Sequence, residues 1–197
     1  MVKVKFIGNV EPSESFEYAP LPKGAIKFNT EHWERKIFFS GAVSLIISLL
    51  ILLYKRYFQN NGIFPFDRYY ILIGCVIGIL LLILHELLHI VVYPSESKAV
   101  IGIEGVSLFA ITDSAINSNR FVISAILPSV LLGIIPLVVS IFVPVSMIKI
   151  NTLLWSIGSV GLITSCQDYI VVLYTLIHVP HNVMIQYSVD GLNYYKK

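Results

Sequence analysis

Long apolar runs separated by short polar segments dominate the pattern of this chain. Four runs can form a helix that crosses a hydrocarbon layer about 30 Å thick, which takes about 20 residues. They cover residues 37–53, 69–93, 121–148 and 152–178. We therefore expect an all-α membrane protein with about four transmembrane helices. Three regions follow from this division: a polar N-terminal segment (1–36), a four-span membrane domain (37–178) and a C-terminal tail (179–197).

Composition supports a membrane protein, and the distribution of charge predicts its orientation. Hydrophobic residues make up 56% of the chain, charged residues 13%, and the mean hydropathy is +0.78. Ten of the 14 Lys and Arg residues lie in the N-terminal segment, the loop after the second run and the tail. The positive-inside rule then places both termini and the 94–120 loop in the cytoplasm, most simply at the cell membrane. A net charge of +2 is too small to indicate nucleic acid and supports only a weak attraction to anionic lipid headgroups, so membrane lipids are the partners that composition predicts.

Two local patterns modify the all-helical expectation. The loop sequence AVIGIEGVSLFAIT is rich in β-branched residues and contains two glycines, which predicts a short β-hairpin within residues 94–119. Such a hairpin would offer an edge that pairs with an extended peptide. In the third run, Pro128, Pro136 and Pro144 recur every eight residues and predict kinks, but we assign them no chemistry.

The sequence LHELLHI interrupts the second run with three polar side chains. His85 and His89 are four residues apart, so a helix presents both imidazoles on one face, and Glu86 completes an HExxH motif. In this motif the histidines bind zinc and the glutamate acts as general base. Because an ionisable residue within a span costs roughly 2.5 to 3.5 kcal/mol on insertion scales, three such residues at this spacing indicate a functional site.

A catalytic zinc site usually has three protein ligands and one open position. The best third candidate is Asp168, since TSCQDYIVV places a carboxylate in an otherwise uncharged apolar run. Under this topology the second and fourth spans both end at the cytoplasm, and helical rise then puts Asp168 within about 6 Å of the depth of the two histidines. Neighbouring helices could bridge that difference by tilting. Other carboxylates and imidazoles downstream are Glu96, Glu104, Asp113, His178 and His181.

Other interpretations of these residues remain open. His85 and His89 could be interfacial side chains, with Glu86 paired to Arg120, and Asp168 could be a buried hydrogen-bonding partner without metal. A non-catalytic metal-binding membrane protein, such as a sensor or a transporter component, would use the ligands without needing Glu86 as a base. The substrate and the oligomeric state are not encoded in any pattern that we recognise.

Together, HELLH, NRFVISAILP and an aspartate in the final span resemble the membrane zincin peptidases of the DUF3267 group. That group is similar in plan to the site-2 proteases, which are intramembrane metalloproteases. The resemblance covers roughly residues 65–180 and implies a zinc-dependent peptidase, which would act on a peptide or membrane-protein substrate. It implies that His85 and His89 bind the zinc, that Glu86 is the base and that Asp168 is the third ligand. Gln167 and Tyr169 flank this aspartate, where the site-2 protease motif has a leucine and a glycine.

Overall fold

The computed structural model describes residues 2–9, 18–64, 66–105 and 107–197. Most of the described chain is helical. Two short π-helical segments, Lys55–Gln59 and Ser129–Ile134, continue α1 and α4 respectively. The α-helices are α1 (Trp33–Tyr54), α2 (Arg68–Leu80), α3 (Leu82–Val91), α4 (Ser118–Pro128), α5 (Ile135–Phe142), α6 (Ile148–Thr164) and α7 (Cys166–His178).

The helices fall into four apolar stretches, as the hydropathy pattern predicted. In the described residues, three continuous stretches are long and apolar enough to cross a membrane: Trp33–Gln59, Arg68–Val91 and Ser118–Phe142. The fourth is the pair α6 and α7, whose axes differ by 50° across a short break. The third stretch ends earlier than predicted because Val143 is extended (ψ 128°) ahead of Pro144. A residue before proline is disfavoured in the helical region, so the helix stops at Phe142.

Strands make the all-α prediction wrong. The predicted hairpin is confirmed: β3 (Lys98–Glu104) and β4 (Ser107–Thr112) pair antiparallel, and Gly105 has the positive φ (61°) that a tight turn requires. β1 (Lys3–Asn9) adds to β3 in parallel and gives the sheet order β1-β3-β4. A second sheet has the order β2-β7-β6-β5, and its strands are β2 (Ile26–Lys27), β5 (Ile116–Asn117), β6 (Met184–Ser188) and β7 (Gly191–Tyr195).

β1, β2 and β5 were missed because their partners are distant in sequence, whereas β6 and β7 form a local hairpin that sequence analysis overlooked. β1 pairs with a strand more than 90 residues later, and the two-residue β2 pairs with the C-terminal β7. A local pattern carries no information about such distant partners.

Contacts divide the chain into two compact units, and each unit has its own packing. The strand-bearing unit comprises Met1–His32, Glu86–Leu127 and Val171–Lys197, and the helical unit comprises Trp33–His85 and Pro128–Ile170. Both sheets belong entirely to the strand-bearing unit. The boundaries fall inside α3, α4 and α7, so each of these helices contributes residues to both units.

In the strand-bearing unit, the first sheet packs on the second half of α3. Ile90 on α3 is buried with Ala99 and Ile101 of β3, and Leu87 packs against the same cluster. Burial of apolar surface in this cluster stabilises the packing by about 25 cal/mol for each Å² removed from water. It therefore anchors the helix segment that carries Glu86 and His89.

In the helical unit, small residues let helices approach closely. A Cβ added at Gly74 or Gly78 on α2 would lie 2.6 Å from Ser156 Cβ or 2.7 Å from Val160 Cβ on α6. Such contacts replace the hydrophobic effect as the source of helix association in a lipid environment. Trp155 of α6 also donates its indole N–H to the Ser48 carbonyl of α1 at 3.0 Å.

A buried lysine stabilises the end of α5. Lys55 is fully buried, and its ammonium donates to the carbonyl of Ser140 and, at 3.1 Å, to the carbonyl of Val143. The last carbonyls of a helix have no intrahelical donor, so an external donor is needed when they are buried. Asn151 supplies another by donating to the Pro144 carbonyl at 2.7 Å.

Candidate metal centre

The HELLH sequence lies on α3, where helical geometry fixes the arrangement of its polar side chains. α3 follows α2 with one intervening residue, and His85 N–H donates to the Leu81 carbonyl at 2.9 Å, which continues the helical ladder. His85 and His89 lie one turn apart on the same face. His85 is buried, whereas Glu86 and His89 are half-buried. The motif therefore forms the two-imidazole face that the sequence predicted.

A break between α6 and α7 places Asp168 in the first turn of α7. Next to the break, Thr164 Oγ1 donates to the Val160 carbonyl at 2.9 Å and Ser165 Oγ donates to the Gly161 carbonyl at 3.0 Å. Serine and threonine that bond back to the preceding turn often bend a helix. Two such bonds lie next to the 50° bend between α6 and α7.

The bend brings the carboxylate to the histidine motif. Asp168 Oδ2 lies 3.2 Å from His85 Nε2, and both side chains are largely buried. One ligand atom from each of His85, His89 and Asp168 lies within 4.8 Å of the others. The structure therefore brings together the three residues that the sequence indicated as ligands, although 83 positions separate His85 from Asp168.

A hydrogen bond to the backbone orients His89. Its Nδ1 lies 2.9 Å from the Ser124 carbonyl on α4, and Ser124 Oγ donates to the His89 carbonyl at 2.6 Å. A carbonyl oxygen can only accept, so Nδ1 is the nitrogen that carries the hydrogen. Metal-binding histidines commonly donate their second N–H in this way, which fixes the ring orientation. Sequence analysis did not identify Ser124 as part of the site.

Tyr169, the neighbour of Asp168, holds the start of α7 in place. Its hydroxyl donates to the Leu162 carbonyl of α6 at 3.2 Å and is hydrogen-bonded to Ser129 Oγ. Because a phenol has one hydrogen and the Leu162 carbonyl can only accept, Ser129 is the donor in the second bond. These bonds fix the first turn of α7 against α6 and the π-helical segment that begins at Ser129.

The alternative ligands occupy other surroundings. Asp113 accepts from the Lys98 N–H and from Ser114 Oγ, both at 2.9 Å, and so stabilises the hairpin ends. Glu96 is exposed just before β3, and Glu104 is exposed at the end of β3. His178 stacks on Tyr174 with ring centroids 4.8 Å apart, and His181 is exposed. In the part of the chain that the structure describes, His85, His89 and Asp168 form the group with metal-ligand spacing.

The group fits a zinc ion by its chemistry. Two imidazoles and one carboxylate form a donor set found in catalytic zinc sites, where bond lengths are about 2.0 to 2.2 Å. Ligand atoms on one tetrahedral ion would lie a little over 3 Å apart at those lengths, and His85 Nε2 and Asp168 Oδ2 are already 3.2 Å apart. Fold and site together define a helix-borne His-Glu-His motif in apolar helices, which forms with an aspartate a group that could bind a metal ion.

The chain belongs to the DUF3267 family, described as "Putative zincin peptidase", because the family's sequence profile matches residues 78–184, more than half of the chain. The matched region contains all of α3 and α7, and with them every residue of the metal centre. The family resemblance is thereby confirmed, and it implies zinc and a metallopeptidase. No curated protein and no solved structure matches the chain, so the similarity to site-2 proteases stays a prediction.

Proposed function

We propose that this protein is a zinc-dependent, membrane-embedded peptidase that hydrolyses a peptide bond in a membrane-associated or transmembrane substrate. The observation that carries the proposal is the approach of Asp168 Oδ2 to within 3.2 Å of His85 Nε2 on the HELLH helix. A buried carboxylate needs a compensating positive charge or a donor. A dication shared with His85 and His89 supplies that charge and uses the HExxH spacing as zinc peptidases use it.

When bound, the zinc ion would polarise the substrate carbonyl and lower the pKa of a coordinated water toward about 7. His85, His89 and Asp168 would be the side chains that hold it. Ser124 keeps His89 in the orientation that binding requires.

Glu86 is the proposed general base. It follows His85 directly on α3 and is half-buried, so part of its side chain is accessible to water. Its carboxylate would take a proton from the attacking water while the oxygen bonds to the carbonyl carbon. Glu86 would then return this proton to the departing amine nitrogen as the C–N bond breaks. Water is thus divided between the new carboxyl and amino ends.

The position of the site supports a substrate in or at a membrane. α3 completes the stretch Arg68–Val91, and α7 is the second half of the bent pair. The stretch and the pair taken together each have the length and hydropathy of a membrane span. We propose the orientation that the ten-to-four distribution of Lys and Arg predicts, with both termini in the cytoplasm of a cell membrane. The site then lies toward the cytoplasmic end of its spans, where the route for water is short.

The hairpin supports a way to present the substrate. In the order β1-β3-β4, β1 already covers one edge of the hairpin, and β4 forms the edge of the sheet. An extended peptide that adds to a sheet edge exposes its backbone to a nearby catalytic group. Because the same sheet packs on α3 through Leu87 and Ile90, a peptide held on β4 would be fixed relative to Glu86.

Replacing Glu86→Gln tests the proposal against a non-catalytic metal-binding function. The detergent-purified proteins would be assayed for zinc by elemental analysis. Each would then be incubated in liposomes with a mixture of hydrophobic peptides in H₂¹⁸O, with mass spectrometry detecting ¹⁸O in new C-termini. We expect about one zinc per chain in both proteins, and loss of at least about 100-fold in cleavage rate in the variant, because the base contributes 10² to 10⁴.

Glu96→Gln serves as the matched control, since Glu96 is an exposed glutamate outside the metal centre. It should retain both zinc and cleavage. Cleavage by Glu86→Gln at the wild-type rate would contradict the proposed base. A zinc-binding wild-type protein without any cleavage would favour a metal sensor or transporter component instead.

A further inference from the structure

Pro128 lies four residues after Ser124 on α4, and this spacing bears on the orientation of His89. In an α-helix each carbonyl accepts a hydrogen bond from the N–H four residues later. Proline has no N–H, so residue 128 cannot supply that bond to the Ser124 carbonyl. The Ser124 carbonyl can therefore accept from a donor outside its own helix.

The donor that reaches this carbonyl is the His89 ring. Nδ1 lies 2.9 Å from the Ser124 oxygen, and the Ser124 hydroxyl returns a bond to the His89 carbonyl at 2.6 Å. A neutral imidazole has one N–H, so a hydrogen on Nδ1 leaves the lone pair on Nε2. That is the form in which Nε2 can bind a metal. Since the acceptor belongs to the backbone, its availability depends on residue 128 more than on the side chain at position 124.

We propose that Pro128 is a positioning residue for His89: by lacking an N–H, it reserves the Ser124 carbonyl for Nδ1 and so sets the tautomer and ring orientation of a metal ligand. This inference rests on the proposed zinc site. It gives Pro128 a task that the repeating prolines of the same stretch do not share. Pro136 lies in the first turn of α5, and Pro144 follows the end of that helix.

An alanine at position 128 would restore the missing donor. Its N–H would compete with His89 Nδ1 for the same carbonyl, and an alanine fits a helix better than proline does. The fold should therefore persist while the ring becomes less constrained. Partners that orient a metal ligand are typically worth 10- to 100-fold in metal affinity.

The first experiment compares zinc affinity in wild type, Pro128→Ala and Pro136→Ala. Each detergent-purified protein competes for Zn²⁺ with a chelating indicator at constant pH. We expect Pro128→Ala to bind zinc about 10- to 100-fold more weakly, and Pro136→Ala to stay within about threefold of wild type. Equal affinity of wild type and Pro128→Ala would overturn the inference, and so would an equal loss in both variants.

The second experiment measures the tautomer directly in the metal-free protein. The protein carries ¹⁵N-histidine, the spectrum is recorded above the imidazole pKa, and His89→Gln identifies the His89 signals. Wild type should show the hydrogen on Nδ1, and Pro128→Ala should shift population toward hydrogen on Nε2. A wild-type hydrogen on Nε2, or identical populations in the two proteins, would overturn the inference.

The two experiments also separate this inference from the proposed function. A wild-type protein that binds no zinc would contradict the zinc site itself, whatever the tautomer. Zinc binding that is insensitive to Pro128→Ala would leave the zinc site intact and remove only the role of the proline.

Discussion

At the scale of single residues, the candidate metal centre combines one local relation with one distant contact. The relation between His85 and His89 is local, because four residues of helix always bring two side chains to one face. The contact between His85 and Asp168 depends on packing and has a distance of 3.2 Å. The geometry of the centre therefore depends most on Asp168, because helix packing and not the local helix sets its position.

Replacing Asp168→Asn should weaken zinc binding by about 100-fold or more. Loss of a direct ligand charge should exceed the 10- to 100-fold effect of an outer-shell partner. An amide oxygen could still hold some metal, so weakened binding is expected before complete loss. Competition with a chelating indicator measures the change.

Glu104→Gln is the control for this prediction, since Glu104 is an exposed carboxylate at the end of β3 that sequence analysis kept as an alternative ligand. It should bind zinc as wild type does. If Glu104→Gln lost zinc while Asp168→Asn kept it, the third ligand would have to be reassigned.

At the scale of elements, close helix packing in the helical unit constrains the helices around the site. Gly161 on α6 faces the backbone of the π-helical segment, and a Cβ at this position would lie 2.6 Å from the Leu132 carbonyl carbon. The backbone cannot give way as a flexible side chain would. The Gly161 carbonyl also accepts a hydrogen bond from the Ser165 hydroxyl next to the helix break, so the position of Gly161 affects the bend before α7.

Gly161→Ala should lower the thermal unfolding midpoint in detergent, because overpacking of this kind typically costs about 1 to 3 kcal/mol. Gly41→Ala is the matched change on α1, where an added Cβ would meet the Cys166 Cβ at an ordinary 3.9 Å. It should be neutral or stabilising, since alanine is a better helix former than glycine by about 1 kcal/mol. Equal unfolding midpoints for the two variants would contradict the packing argument.

At the scale of the whole molecule, three separated segments of the chain build one strand-bearing unit. These are the N-terminal residues, the region from Glu86 to Leu127, and the C-terminal residues from Val171. The same three regions contain eight of the ten Lys and Arg residues that we expect on the cytoplasmic side, and the other two, Arg35 and Lys36, lie in the first turn of α1. Because the hairpin and both termini belong to one unit, a single test of orientation is informative about all three.

A cysteine that replaces Glu96 should react with a reagent on the cytoplasmic side, and a cysteine that replaces Ile63 should react on the opposite side. Both positions are exposed, whereas the neighbouring Ser97 is buried and unsuitable for labelling. Impermeant reagents applied to intact cells and to inverted vesicles, in a background with Cys75 and Cys166 replaced by alanine, give the measurement. Labelling of Glu96→Cys in intact cells would invert the proposed orientation.

The sequence by itself determined the features that arise from local geometry. Helical periodicity fixed the His85 and His89 pair, and the length of apolar runs predicted four helical stretches. The β-branched residues and glycines of the 98–112 region predicted the hairpin that the structure contains. Each of these features depends on residues close together in the chain, whose relative positions covalent geometry already restricts.

Only the tertiary structure decided which distant groups meet. The pairing of β1 with β3, the approach of Asp168 to His85 and the bond from His89 to the Ser124 carbonyl all join residues far apart in sequence. The sequence showed Pro128 but not which ring would use the carbonyl that this proline leaves available. Such contacts depend on how whole helices and sheets pack, and a one-dimensional pattern of apolar and polar residues leaves many packings equally consistent with it.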